Sequence, residues 1–224
     1  MPSPHEDHPT LHVFDHPLIQ HKLTILRDKS TSHRPFRAVV SQIAGLMVFE
    51  VTRTFPAAPV EVQTPLEKTR GTLLTAPITV VPVLRAGLAM AEGVLEVMPE
   101  ARVGHLGLLR DEKTLQPVAY LSKLPRDLAA GPVLLVDPML ATGGTAVQAV
   151  RMLKDAGAAD VRMLCLLAVP VGVERMAEAH PDVPIYTASL DDHLDEHGFI
   201  HPGLGDAGDR LYGTGAASTG PLRW

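Results

Sequence analysis

Residues 133–147 read VLLVDPMLATGGTAV. A near-continuous apolar run ends on an acid, Asp137, small residues follow, and a helical pattern then begins. That order places Ala141, Thr142, Gly143, Gly144 and Thr145 at a helix N-terminus, beyond the carboxyl end of a strand. Exposed backbone N–H groups and the helix dipole suit a phosphate at such a place. Glycines let the backbone approach an anion closely, and the threonine hydroxyls add donors. Asp137 repels phosphate but accepts hydrogen bonds, which suits a pair of ribose hydroxyls. A sugar whose 5-phosphate fills the loop satisfies both halves. The bland alternative is a buried strand, a turn and a capped helix with no ligand, and it gives the acid nothing to do. A Walker A loop is excluded, because no Gly-Lys-Ser/Thr follows.

Two other patterns invite chemistry and fail. GLGDAG, residues 203–208, satisfies the dinucleotide fingerprint G-x-G-x-x-G. That fingerprint needs a strand before it, a helix after it and an acid about 20 residues on. Pro202 precedes it, Gly213 and Gly215 follow, and the chain ends at Trp224, so the unit does not fit. His5, His8, His12 and His16 fall at helix-like spacing, which invites a metal reading. Pro2, Pro4, Pro9 and Pro17 interrupt any helix that would align them.

The phosphate loop needs a sheet to carry it. Residues 78–84, 103–109, 133–136 and 161–169 are near-continuous apolar runs, as strands covered on both faces require. Helical stretches lie between them at 88–98, 144–156 and 173–179. Strands alternating with helices predict an α/β fold with a doubly wound parallel sheet. Upstream, residues 18–54 have a helical pattern, with Ile43, Leu46, Met47 and Val51 three and four apart. Residues 55–65 are Pro-rich and are expected to be loop. Residues 111–124, DEKTLQPVAYLSKL, are polar where a helix is due, which predicts a hairpin-like arm extending from the sheet. From Tyr186 onward, Gly, Asp and His predominate with little periodicity, which predicts a loop-built cap over the site.

Composition narrows the function. The 224 residues, 46% of them hydrophobic, suit one domain spanning 1–224, with residues 1–15 and 215–224 expected to be flexible ends. Twenty Lys and Arg against 25 Asp and Glu give −5, so no basic excess advertises a nucleic acid. Aromatic residues at 4% leave little for base-stacking platforms. The single Cys165 excludes an internal disulfide framework and a cysteine-rich zinc site. No apolar stretch approaches the ~20 residues that span a bilayer. The amino terminus lacks the basic and apolar regions of a signal peptide, so a cytoplasmic protein with no membrane partner is expected.

DPMLATGGT, residues 137–145, resembles the phosphoribosyl pyrophosphate (PRPP) loop of type I phosphoribosyltransferases, in the form typical of the uracil phosphoribosyltransferase family. The likeness continues through HPLIQHKL (16–23), VVPVLRAGL (80–88), GLLRDEKTLQPVAYLSKLP (107–125), AHPDVPIYTASLD (179–191) and EHGFIHPGLGDAGDRLYGT (196–214). It implies a type I phosphoribosyltransferase-like sheet with a protruding β-arm and a carboxyl-terminal hood. The reaction implied is uracil and PRPP giving UMP and pyrophosphate, in pyrimidine salvage. It implies that Asp137, Pro138, Met139, Leu140, Ala141, Thr142, Gly143, Gly144 and Thr145 bind PRPP, with the ribose hydroxyls on Asp137. Arg85 and Arg110 match the pyrophosphate-contacting positions, where a guanidinium fork suits a leaving polyphosphate. The plain alternative for each arginine is a surface ion pair. With Asp137 they form the implied catalytic group.

Asp206 corresponds to a second sugar- or metal-side carboxylate, its alternative being a turn-capping acid. Ile200, Gly205, Asp206 and Ala207 correspond to the uracil pocket, where small residues let backbone groups reach the ring. His201 stands where an apolar residue is expected. Tyr186 and Phe199 are expected to pack in the core or cap, and His193 and His197 are given no role. The resemblance implies Mg²⁺, held mainly through PRPP because the loop start carries one acid. It also raises a homo-oligomer, dimer or tetramer, through the amino-terminal helices, and GTP as an allosteric activator. Two competing readings remain: a non-catalytic regulator binding a pyrimidine nucleotide or RNA, and a transferase for another base. The charge of −5 and the GLGDAGD loop weigh against the regulator.

Overall fold

Three strands carry the centre of the sheet in the computed structural model, which describes residues 4–110 and 117–215. Along the chain the elements are β1 (Leu11–Val13), α1 (Pro17–Arg27), α2 (His33–Val51), β2 (Ala57–Gln63), β3 (Lys68–Leu74), β4 (Thr79–Leu84), α3 (Gly87–Val97), β5 (Arg102–Val103), β6 (His105–Arg110) and β7 (Pro117–Lys123). There follow β8 (Val133–Val136), β9 (Met139–Leu140), α4 (Gly144–Asp155), β10 (Val161–Ala168), α5 (Pro170–Ala179), β11 (Ile185–Leu190), β12 (His193–Leu194), β13 (Ile200–His201) and α6 (Ala207–Tyr212). The main sheet runs β1-β11-β10-β8-β4-β6-β7, parallel except for the β6–β7 pair.

Alternation along β8 shows why its sequence is apolar throughout. Leu134 and Val136 pack with Phe36, Ile43, Met47 and Met90 on the face covered by α2 and α3. Val133 and Leu135 pack with Val150, Leu153, Val173 and Met176 under α4 and α5. A strand covered on both faces has no polar side to display. This is the expected α/β fold with a doubly wound sheet. From β4 the chain crosses to β6 on one side, and from β8 it crosses to β10 on the other. The crevice between the carboxyl ends of β4 and β8 is therefore the topological switch point, where open α/β sheets bind ligands.

Three expectations are corrected. Residues 4–15 are not frayed: β1 pairs in parallel with β11, Leu11 is fully buried and Phe14 nearly so. Pro4, Pro9 and Pro17 flank this short strand without entering it. The four histidines there do not converge on one point: His5 and His8 lie against each other with ring centroids 5.4 Å apart, and the other two make contacts elsewhere. His16 caps α1 by accepting from the Leu18 N–H at 3.2 Å, and His12 stacks on Tyr186 with centroids 4.8 Å apart. Among the described residues, no group of three or more His, Cys, Asp or Glu is placed to hold a metal.

The Pro-rich stretch is also not loop. It forms β2, paired antiparallel with β3 over seven positions, and Thr64 Oγ1 closes the turn by accepting from the Leu66 and Glu67 N–H groups. The ribbon buries neither face, so no apolar alternation marks it in the sequence. Residues 117–123 pair antiparallel with β6 out to Arg110, whereas β4 pairs with β6 only at Leu106 and Gly107, so β6 and β7 form the expected hairpin-like arm at the edge of the sheet. Residues 111–116, the tip of that expected arm, lie outside the described residues, as do 1–3 and 216–224. The cap begins later than expected, since Tyr186 to Leu190 belong to β11.

Candidate phosphoribosyl-transfer site

Asp137 follows β8 directly, at the switch point. Its carboxylate accepts from the Met139 N–H at 3.3 Å. Withdrawal from water pushes its pKa from 3.8 up to about 7, and that one hydrogen bond only partly opposes the shift. The loop after it turns at Gly143, whose φ of +77° favours glycine. Gly143 is the N-cap of α4, and no side chain caps that helix. The first N–H groups of α4 therefore remain free to meet an anion.

The loop is braced from behind. A Cβ at Gly172, at the start of α5, would collide with the carbonyls of Leu140 and Ala141. This close approach sets α5 against the loop and brings in a residue that the sequence reading missed. Arg175 donates to the Thr142 carbonyl at 3.2 Å, and its Nη1 lies 3.6 Å from where a Gly144 Cβ would be. It sits on the exposed side of α5 with no motif around it, so only packing reveals it.

Arg85 follows β4, across the crevice from Asp137. The turn carrying it lies hard against β8, because a Cβ at Gly87 would strike the Val136 carbonyl. The Arg85 side chain is exposed and its guanidinium carbon lies 5.7 Å from the centre of the Tyr212 ring. The Tyr212 hydroxyl donates to the Arg85 carbonyl at 2.9 Å, tying this turn to α6. No ion pair engages the Arg85 side chain among the described contacts. Arg110 ends β6, the strand beside β4.

The cap supplies the remaining wall. Gly198 approaches Thr142, 4.0 Å separating a Cβ built on the first from the Cγ2 of the second. Gly208 approaches Arg85 Nη2 at 3.9 Å on the same measure. Ile200 and Ala207 are buried, whereas Gly205 and Asp206 are exposed. Asp206 Oδ1 accepts from the Asp209 N–H at 2.8 Å, so this acid does cap a turn, with its second oxygen outside that bond.

His201 points away from Ile200 along β13. It meets Asp195 at 3.0 Å and stacks on His193. The His201 contact and the Phe199 and His197 N–H groups hold the Asp195 carboxyl down at about 2. The histidine therefore leaves the polarity of the Ile200 side unaltered. Phe199, expected to pack, is 45% exposed, since the inward position of this short strand goes to Ile200.

An uncapped helix N-terminus and an acid at the switch point of a mostly parallel sheet, with the cap approaching Thr142 and Arg85, give the architecture of a type I phosphoribosyltransferase. The comparisons narrow the class. The family described as uracil phosphoribosyltransferase matches residues 13–214. The uracil phosphoribosyltransferase of Lactiplantibacillus plantarum is 54% identical over 203 residues, 90% of this chain and 97% of that one. The enzyme of that name from Streptococcus pyogenes serotype M1 is 55% identical over 90% of this chain and 97% of its own. The structure of AQ2163 protein from Aquifex aeolicus superposes with a TM-score of 0.87 at 38% identity, covering 92% of this chain and 99% of that one. The chain belongs to the uracil phosphoribosyltransferase family.

Proposed function

We propose that the chain transfers the 5-phosphoribosyl group of PRPP to uracil, giving UMP and pyrophosphate. One observation carries the reading: an uncapped helix N-terminus and a half-buried acid share the loop after β8, at the switch point. The 5-phosphate lies on the backbone of residues 141–145, and the ribose hydroxyls donate to Asp137. Uracil N1 forms a bond to ribose C1 as the C1–oxygen bond to pyrophosphate breaks, and the N1 proton is released. Arg85 and Arg110 offset charge gathering on the departing pyrophosphate, so positioning and electrostatics supply the catalysis. Backbone groups of Ile200, Gly205 and Ala207 read the acceptor–donor–acceptor edge of the base. Asp206 faces the sugar with the oxygen it does not use in capping.

Asp137 is the one acid at the loop start, and Mg²⁺ commonly keeps most of its coordination in water and substrate oxygens. We therefore assign the ion to PRPP's own oxygens and water, where it would neutralise polyphosphate charge. Exposed apolar side chains, among them Phe49, Leu66 and Leu73, support a homo-oligomer. For GTP as an activator, the cavity of about 520 Å³ beside Arg34, Arg37 and Glu92 offers matching charge. The charged substrate and product, together with no described helix long and apolar enough to cross a membrane, support a cytoplasmic location. Incubation with uracil, PRPP and Mg²⁺, followed by chromatography for UMP, tests the function, and failure to form UMP refutes it. Repeating the assay with added GTP tests activation.

A further inference from the structure

The base-reading turn stands outside the main sheet, on residues that no strand of that sheet holds. Its rigidity must come from elsewhere. Gly203 turns the chain with φ +61°, so tightly that a Cβ there would strike the Ile200 carbonyl. Both polar backbone groups of Gly203 are engaged by one ion pair. Its N–H donates to Asp191 Oδ2 at 2.9 Å, and its carbonyl accepts from Arg27 Nη1 at 2.9 Å. Arg27, the last residue of α1, grips Asp191 with two parallel bonds of 2.7 and 2.6 Å. Ser189 completes the group, donating to Asp191 Oδ1 at 2.7 Å and accepting from Arg27 Nη2 at 3.1 Å.

Asp191 is almost wholly buried, its side chain 2% exposed, and sits just past the end of β11. A buried carboxylate persists only when fully paired, and here every bond it accepts comes from the arginine fork, the serine or the turn. Burial pushes its pKa up, but Arg27, Ser189 and the Gly203 N–H outweigh that push and hold it below the usual carboxylate value.

We propose that Arg27 and Asp191 are positioning residues for uracil: the fork fixes Gly203, and through its turn the Ile200 backbone that reads the base. This rests on the assignment of residues 200–207 as the base site. Neither side chain needs to touch substrate. PRPP, held at β4 and β8, depends on neither, so the two substrates should respond differently.

The test compares Asp191→Asn, Arg27→Lys and Ser189→Ala in the whole chain, with Ala207→Val as the control for the base site itself. Asp191→Asn should raise KM for uracil at least tenfold while the Kd for PRPP with Mg²⁺ stays within twofold. Arg27→Lys keeps the charge and loses the fork, so an intermediate rise is expected. Ser189→Ala removes the hydroxyl's two bonds, to Asp191 and from Arg27, while leaving the ion pair intact, and should raise the uracil KM about threefold even if the other variants fold poorly. Equal losses for uracil and PRPP across the series would overturn the proposal, as would an unchanged uracil KM in Ser189→Ala and Asp191→Asn. If Ala207→Val leaves the uracil KM unchanged, the base site lies elsewhere, and the underlying assignment falls. If Ala207→Val raises it and the other three do not, only the positioning role falls.

Discussion

The fold and the reaction pull the protonation of Asp137 in opposite directions. Burial raises its pKa from 3.8 to about 7. A ribose hydroxyl donates, so PRPP selects the carboxylate. From that pKa, roughly one-tenth of the free protein carries the carboxylate at pH 6 and roughly nine-tenths at pH 8. With uracil saturating, kcat/KM for PRPP should therefore rise about tenfold from pH 6 to pH 8. Asp137→Asn keeps the shape and cannot ionise. It should flatten that limb and lower kcat/KM at pH 8 at least about tenfold, for loss of charge-assisted bonds worth roughly 1.5–3 kcal/mol. Phosphate groups on PRPP titrate near pH 6 themselves. Any slope left in the Asn variant belongs to them, and the difference between the two profiles isolates the side chain.

Stability runs the other way. A carboxyl with a raised folded pKa stabilises the fold in its protonated form. That contribution is complete below the unfolded value of 3.8 and is lost as pH rises through about 7. The shift sets a ceiling of about 4 kcal/mol, and partial exposure to solvent brings the real loss below it. Asp137→Asn should accordingly raise Tm at pH 8 by several degrees and leave it nearly unchanged at pH 4. Parallel pH profiles for the two proteins, with no gain in Tm at pH 8, would refute this account of Asp137.

Cytosine presents an amino group where uracil presents the O4 oxygen, so a backbone donor would face a donor, at roughly 1–3 kcal/mol for each group left unmatched. Competition assays should show cytosine as a very poor substrate and 5-fluorouracil as an accepted one, and comparable kcat/KM for cytosine and uracil would sink backbone reading. Arg175→Ala removes positive charge beside the first turn of α4 and should raise KM for PRPP about three- to tenfold, with kcat little changed by steady-state kinetics. Gly87→Ala forces a methyl group against the Val136 carbonyl; overpacking of that kind costs about 1–3 kcal/mol or more, visible as a lower Tm with weakened PRPP binding.

The central fold was legible because its elements are locally determined. Residues 133–136 are apolar on both faces because two helical layers cover them, and an acid with small residues after such a run marks the loop without any tertiary information. The ribbon of residues 57–74 was illegible for the opposite reason. Its strands bury nothing within the chain, and Pro56, Pro59 and Pro65 read as loop punctuation. Arg175 and Arg27 were invisible for a third reason. Each is an ordinary helix arginine in sequence, and each gains its role from a partner on another element, Thr142 33 residues before Arg175 and Asp191 164 residues after Arg27.

That contrast separates the two substrate halves physically. The half proposed for PRPP sits on strand ends, and the Gly87 and Gly172 contacts lock its loop to neighbouring elements through backbone packing. A change there disturbs the sheet as well as the site. The base half sits on a turn joined to the body mainly by side chains: Arg27 and Asp191 at Gly203, and Arg210, which donates to the Leu26, Asp28 and Leu204 carbonyls. Altering one such anchor can shift the turn while leaving β4 and β8 in place. Base preference can therefore change through residues that never meet the base. The loop proposed for the 5-phosphate has less of this freedom, because the Gly87 and Gly172 backbone contacts fix it and Arg175 is the one side chain described as bonding to it.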